Sequence, residues 1–179
     1  MTTQPDALKK CIGAGAIEVD WEAVYREHLP RVYNFFLYRF GDGPLAEDLT
    51  SATFEKAWRA RHRYRRDLAA FSRWLFTIAR RVATDYFREQ RQTLSLEEVP
   101  HLSDGQVPEE SLQHQADLAR LQALLSHLSA REQELVALKY GGGLTNRAIA
   151  QLTGLSESNV GTILYRVVQK LRQQWEGEP

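Results

Sequence analysis

Arginines and aromatic rings alternate along FSRWLFTIARRVATDYFREQR, residues 71–91. At helical spacing one side carries Arg73, Thr77, Arg80, Arg81, Thr84, Asp85 and Arg88, and the preceding RHRYRRD adds Arg61, Arg63, Tyr64, Arg65 and Arg66. Guanidinium groups neutralise phosphates, and flat rings such as Phe71 and Trp74 stack on unpaired bases, so the set suits single-stranded nucleic acid. Composition alone favours a solvated basic helix over such a platform, and Phe71 and Trp74 taken singly read as core residues. Both readings stay open on these residues.

A second set lies in LTNRAIAQLTGLSESNVGTILYRVVQKL, residues 144–171. Val160, Ile163, Leu164, Val167, Val168, Leu171 and Trp175 recur every three or four positions and define a buried stripe. The opposite face must then present Ser158, Asn159, Thr162, Tyr165, Arg166, Gln169 and Lys170, with Glu157 beside them, while Gly161 allows close approach of a sugar-phosphate backbone. With Ala148, Ile149 and Leu152 on the preceding helix and Gly154 at the sharp turn, this is a helix-turn-helix pattern, whose second helix enters a major groove. Short polar groups at its start can bond base edges, and Tyr165, Arg166 and Lys170 can reach phosphates. A plain helical hairpin in a core is the alternative.

The elements that position these sets are all helical. Trp21, Val24, Tyr25, His28, Leu29, Val32, Phe36 and Phe40 keep one helical face until GDGP stops it. Pro44 suits the first turn of a second helix over residues 44–61, with Leu45, Leu49, Ala52 and Trp58 inward and Glu47, Asp48, Glu55, Lys56 and Arg59 available to a partner. A third helix over 70–90 should bury Phe71, Trp74 or Leu75, Ile78, Val82 and Tyr86. Between residues 92 and 111 the periodicity gives way to Pro100, Pro108, Gly105 and the acids Glu97, Glu98, Asp104, Glu109 and Glu110, the composition of a linker. A helix over 112–127 follows, and Ser129 with Glu132 forms a capping box for the next, whose inner face is Leu135, Val136, Leu138 and Tyr140. Gly141 to Gly143 end that helix, Thr145 caps one over 146–153, and Ser156 caps the last. The expected fold class is all-α: a tail (1–19), a helical domain (20–92), a flexible acidic linker (93–111) and a helix-turn-helix domain (112–179).

The 179 residues are 43% hydrophobic, enough to bury a core, and Lys plus Arg equal Asp plus Glu at 23 each, so any nucleic-acid surface must be local. Cys11 is the sole cysteine, which excludes an internal disulfide and fits a reducing cytoplasm. Lys9 and Lys10 before CIGAGAIEV imitate a signal peptide only faintly, because the apolar run is broken by glycine and ended by Glu18 and Asp20. No run approaches the roughly 18 apolar residues of a membrane span. There is no glycine-rich phosphate loop, no zinc helix and no ligand spacing among the histidines, and His28 reads as a packed side chain, so an enzyme, a metal and a cofactor are not expected.

In order, LAEDLTSATFEKAW, FSRWLFTIARRVATDYFRE, an acidic linker and LSAREQELVALKYGGGLTNRAIAQLTGLSESNVGTILYRVVQKLR resemble the extracytoplasmic-function group of bacterial RNA polymerase sigma factors. The resemblance runs from Tyr25 to Arg172. It implies a partner, core RNA polymerase, met at its clamp by Asp48, Leu49, Ala52, Glu55, Lys56 and Arg59 and also at its flap. It implies promoter DNA, captured as a single strand at the minus-10 element by Tyr64, Arg65, Phe71, Arg73, Trp74, Thr77, Arg80, Arg81, Thr84, Asp85 and Arg88. At the minus-35 element duplex would be read by Thr145, Ser156, Glu157, Ser158, Asn159, Gly161, Thr162, Tyr165, Arg166 and Lys170. An anti-sigma factor is a further implied partner, membrane insertion is not, and the linker would thread near the active centre. The sequence departs from the family pattern at Ser51 and Ala52, where Gln-Glu is common, at Arg81, where Asn is common, and at Gly161 and Ile163, where Lys and Arg are common. A helix-turn-helix regulator acting without polymerase is the competing reading.

Overall fold

The computed structural model describes residues 20–64, 70–93 and 109–177, with side chains assigned outside 91–115. Arg65, Cys11 and the body of the acidic linker lie outside the described residues. Among the described residues every regular element is helical: α1 (Trp21–Phe40), α2 (Gly43–Arg59), a 3-10 turn (Arg61–Arg63), α3 (Phe71–Thr93), α4 (Glu109–Ser126), α5 (Ala130–Val136), a π turn (Ala137–Gly141), α6 (Asn146–Thr153) and α7 (Glu157–Gly177).

Local chemistry sets the ends. Asp20 accepts from the backbone N–H groups of Glu22 and Ala23 at the start of α1, and Gly41 ends that helix with φ of 71°, a left-handed conformation open to glycine. Asp42 then caps α2 by accepting from Leu45 N–H at 2.8 Å, one residue before Pro44 would predict. The Ser129–Glu132 capping box is closed in both directions, and Thr145 accepts from Ala148 N–H at 3.2 Å.

Two expected inner faces are rotated. α2 packs through Ala46, Leu49, Thr50, Thr53 and Ala57, and Trp58 stands half exposed at 50%. The small residues win because they let α1 approach closely; the Thr50 and Thr53 hydroxyls are satisfied inside their own helix by the carbonyls of Ala46 and Leu49. Trp58 instead lies edge-on to Trp21 and carries the Arg61 guanidinium 4.2 Å from its ring centroid. Tyr140 was also expected inside and is 51% exposed. The π turn inserts an extra residue before it, shown by Gly142 N–H donating to Ala137 carbonyl oxygen at 2.8 Å, and Ala137 takes the inner place.

The core is continuous across both halves of the chain. Val32, Phe35 and Phe36 of α1 and Leu75, Phe76 and Ala79 of α3 belong to the same buried cluster as Leu135, Leu138, Ile149, Val160 and Leu164. Close approach is made possible by Gly141 and Gly142, both buried: a Cβ on Gly141 would sit 2.6 Å from the Asn34 carbonyl oxygen, and one on Gly142 would sit 2.8 Å from the Phe76 ring. The glycines expected only to end a helix therefore also form the seam between the halves.

Candidate nucleic-acid and polymerase interfaces

Residues that the sequence assigns to core polymerase and to the two promoter elements fall on three surfaces. On α2, Asp48, Glu55, Lys56 and Arg59 are exposed on one flank, whereas Ala52 is half buried and Leu49 is in the core, supporting that flank from beneath. Glu55 and Arg59 pair along the helix, and Lys56 reaches Asp85 of α3 at 3.4 Å. Lys56 and Asp85, read from sequence as contacts to different partners, thus tie α2 to α3. Asp85 also pairs with Arg88 at 3.3 Å.

On α3 the rings and the cations behave differently. Phe71 and Trp74 are half buried in an aromatic cluster, 5.3 Å apart, with Tyr64 5.2 Å from Phe71 and Trp21 5.7 Å from it. His28 is buried and stacks on Phe71 at 5.5 Å; burial lowers its pKa from the ordinary 6.5, with Glu27 opposing and Arg31 adding to the shift. It is a packed side chain, as its spacing suggests. Arg81, Thr84 and Arg88 are exposed, and Thr77 and Thr84 turn their hydroxyls to the carbonyls of Arg73 and Arg80.

Arg73 and Arg80 meet the second half of the chain. Arg80 Nε donates to Glu134 Oε1 of α5 at 2.9 Å, and its Nη1 donates to the Leu152 carbonyl oxygen of α6. Arg73 donates to the Gln151 side chain of α6. Beside them Arg39 of α1 donates to the Ala130 carbonyl oxygen at 3.0 Å; its pKa is lowered chiefly by burial, offset by Glu134 and reinforced by Arg80. Glu134 and Gln151 were not singled out from sequence, and short-range spacing carries no signal for a contact 54 or 78 residues away.

α7 is laid out as its periodicity requires except at its end, where Trp175, expected in the buried stripe, is 36% exposed and carries the Arg120 guanidinium 4.5 Å from its ring centroid instead of entering the core. Val160, Leu164 and Val167 are buried, and Glu157, Ser158, Asn159, Thr162, Tyr165, Arg166 and Lys170 are exposed, Tyr165 at 67%. Gly154, with φ of 74°, makes the turn into it. Ser156 and Thr145 use their hydroxyls as caps, Ser156 accepting from Asn159 N–H at 3.2 Å. Gly161 has Asn146 Nδ2 3.5 Å from where a Cβ would sit, so a small residue fits the junction of α6 and α7 as well as any external approach. A cleft of about 300 Å³ runs beside the helix, lined by Lys139, Tyr140, Asn146, Tyr165, Gln169 and Arg172 among others. Tyr140 and Arg172 join the exposed face there and half-buried Lys139 lies beside them, Tyr140 being outward only because the π turn rotates it.

The sigma-70 region 2 family matches residues 24–93, and the sigma-70 region 4 family matches residues 118–171. The RNA polymerase sigma factor CarQ of Myxococcus xanthus is 31% identical over 86% of this chain and 87% of its own length. The chain belongs to the RNA polymerase sigma factors. Its relatives place this sigma factor in the extracytoplasmic-function group: SigM of Bacillus subtilis is 29% identical over 84% of the chain and 92% of SigM. BldN of Streptomyces coelicolor is 32% identical over 83% of the chain, which spans 57% of BldN's length. The fold is that of the sigma factor RpoE in complex with the anti-sigma factor NepR from Bartonella quintana, with TM-score 0.68 and 21% identity over 89% of this chain and 99% of that one. The sigma factor is thus an alternative subunit for transcription initiation, in a family whose members act as non-catalytic polymerase subunits. Among the described residues no helix is long and apolar enough to cross a membrane.

Proposed function

We propose that this sigma factor binds core RNA polymerase through the exposed flank of α2, reads minus-35 duplex with α7 and captures the opened minus-10 strand with α3. It acts in the cytoplasm, on the nucleoid when engaged, without catalysis of its own. The observation that carries the reading is α7: a buried stripe of Val160, Leu164 and Val167 holds Ser158, Asn159, Thr162, Tyr165, Arg166 and Lys170 together on one open face. Small polar groups at the helix start suit base edges, and the later cations suit phosphates. On α2, Asp48 and Glu55 offer charge to a basic partner, and on α3 exposed Arg81 and Arg88 offer it to phosphate.

Two domains, residues 20–92 and 112–179 around an acidic linker, and an anti-sigma partner complete the proposal; the matched family segments support the first, and relatives of like fold held by anti-sigma factors support the second. Run-off transcription with purified core polymerase on a set of genomic promoter fragments tests it. Promoter-specific transcripts that need both this chain and core enzyme are expected; DNA binding with no polymerase association would favour a free-standing regulator.

A further inference from the structure

We propose that Trp58, at the end of α2, stacks one unpaired base of the opened strand beside the stretch held by α3, and that Arg61 occupies the stacking face of its ring until that base arrives. The inference rests on the assignment of α3 to the opened strand and adds a position to it from another helix. Trp58 is 50% exposed, although a side chain of its size is ordinarily well covered. Thr53 and Ala57 take the inner places on α2, so the indole is left at the surface.

A flat cation already lies on the ring. Arg61 Cζ sits 4.2 Å from the indole centroid, and Arg61 Nη1 donates to the Trp58 carbonyl oxygen at 2.8 Å. Guanidinium and nucleobase are both planar and stack on the same kind of face, so a base can take that place while the exposed Arg61 swings to the adjoining phosphate. The ring is also continuous with the aromatic cluster of the minus-10 set: Trp58 is edge-on to Trp21 at 5.4 Å, and Trp21 lies 5.7 Å from Phe71 and 6.5 Å from Trp74. Trp58 is thus one ring removed from residues assigned to the strand. Charge decides between DNA and a protein partner. Arg61 and Arg63 follow Trp58 in an exposed 3-10 turn, whereas Glu55 on α2 and Glu22 beside Trp21 are each paired along their own helix, with Arg59 and Arg26. Cations around an exposed ring suit a phosphate and a base together.

The test uses the full chain assembled with purified core polymerase, on a template whose minus-10 segment is held open by mismatches. Single abasic sites, and separately single 2-aminopurines, are moved along the non-template strand. Trp58→Leu keeps an apolar side chain and removes the π system, and Trp58→Phe restores a ring; circular dichroism confirms folding, and Trp58→Gln gives the same comparison should leucine perturb the helix. Template binding about tenfold weaker for Trp58→Leu and within about threefold of wild type for Trp58→Phe is expected, with 2-aminopurine brightened at one position only. On a template abasic at that position Trp58→Leu should cost nothing further. Binding equal to wild type on every template overturns the proposal, as does a loss that persists on every abasic template. Weaker affinity for core polymerase with template binding intact also overturns it and assigns the ring to polymerase. Arg81→Ala and Arg88→Ala separate this from the reading beneath it: if they weaken template binding and Trp58→Leu does not, α3 keeps the strand and Trp58 loses its base, whereas no effect from any of the three removes the strand from α3 as well.

Discussion

Arg31 of α1 donates from Nε to the carbonyl oxygen of Gly142 at 2.9 Å, and its Nη2 reaches the Gly143 carbonyl at 3.4 Å, although 111 residues separate Arg31 from the nearer glycine. The same side chain lies 3.3 Å from His28 Nδ1 and 6.0 Å from the Phe76 ring centroid. Arg31→Met keeps the apolar stem and deletes the donors, leaving the buried Gly142 carbonyl without that partner. The expected loss is about 1–2 kcal/mol in urea denaturation.

The capping box at α5 is the next test. Ser129→Ala removes the hydroxyl that accepts from Glu132 N–H, and a loss of about 1 kcal/mol in thermal or urea melts is expected, with Thr145→Ala on α6 costing a similar amount. The Ser129 hydroxyl and backbone N–H hold Glu132 below its ordinary 4.5, so the contribution is present above that pH and disappears as the solution is acidified through the folded value.

His28 gives a second pH dependence in a different window. Its folded pKa is lowered mainly by burial, so the neutral ring is favoured, stability is complete above 6.5 and is lost as pH falls through the lowered value. Urea midpoints measured between about pH 7 and pH 5 should fall for wild type and fall less steeply for His28→Gln.

On the reading helix, Arg166→Ala should weaken binding to every duplex and reduce the salt slope by about one. Asn159→Ala should instead alter which minus-35 sequences are preferred. Competition binding against a randomised duplex library distinguishes the two, and equal loss on all sequences from both variants would remove Asn159 from base readout.

The flank of α2 predicts a charge effect on polymerase binding. Asp48→Arg should reduce affinity for core enzyme by about tenfold or more, with an unchanged melting temperature because Asp48 is exposed. Surface-immobilised core polymerase provides the readout, and retention of full affinity would move the contact elsewhere.

Sequence pattern gave the helical class and most boundaries, because caps and stops act over three or four residues: Gly41, the Ser129–Glu132 box, Thr145 and Gly154 all do what their types suggest. The face of α7 was equally legible as far as Leu171, since the stripe up to there fixes the other side. Trp58, Tyr140 and Trp175 were misplaced for separate reasons, Trp175 because its ring is partnered at the surface by Arg120. On α2 hydrophobicity pointed to tryptophan while close helix packing required alanine and threonine, and at Tyr140 one inserted residue shifted the phase. Arg80 and Arg73 look like free cations in the string of letters; only the fold reveals Glu134, Leu152 and Gln151 opposite them.

The Arg31–Gly142 contact joins two points of one chain, so its equilibrium is unimolecular and has no concentration in it. Diluting the protein would dissociate complexes with DNA or polymerase yet leave the Arg31–Gly142 equilibrium of the free chain where it was. A ligand that needed this contact broken would bind only the fraction in which it is broken, and its apparent dissociation constant would rise by the reciprocal of that fraction at every expression level. Making more of the chain raises the amount of free protein without changing the fraction of it in which this contact is made.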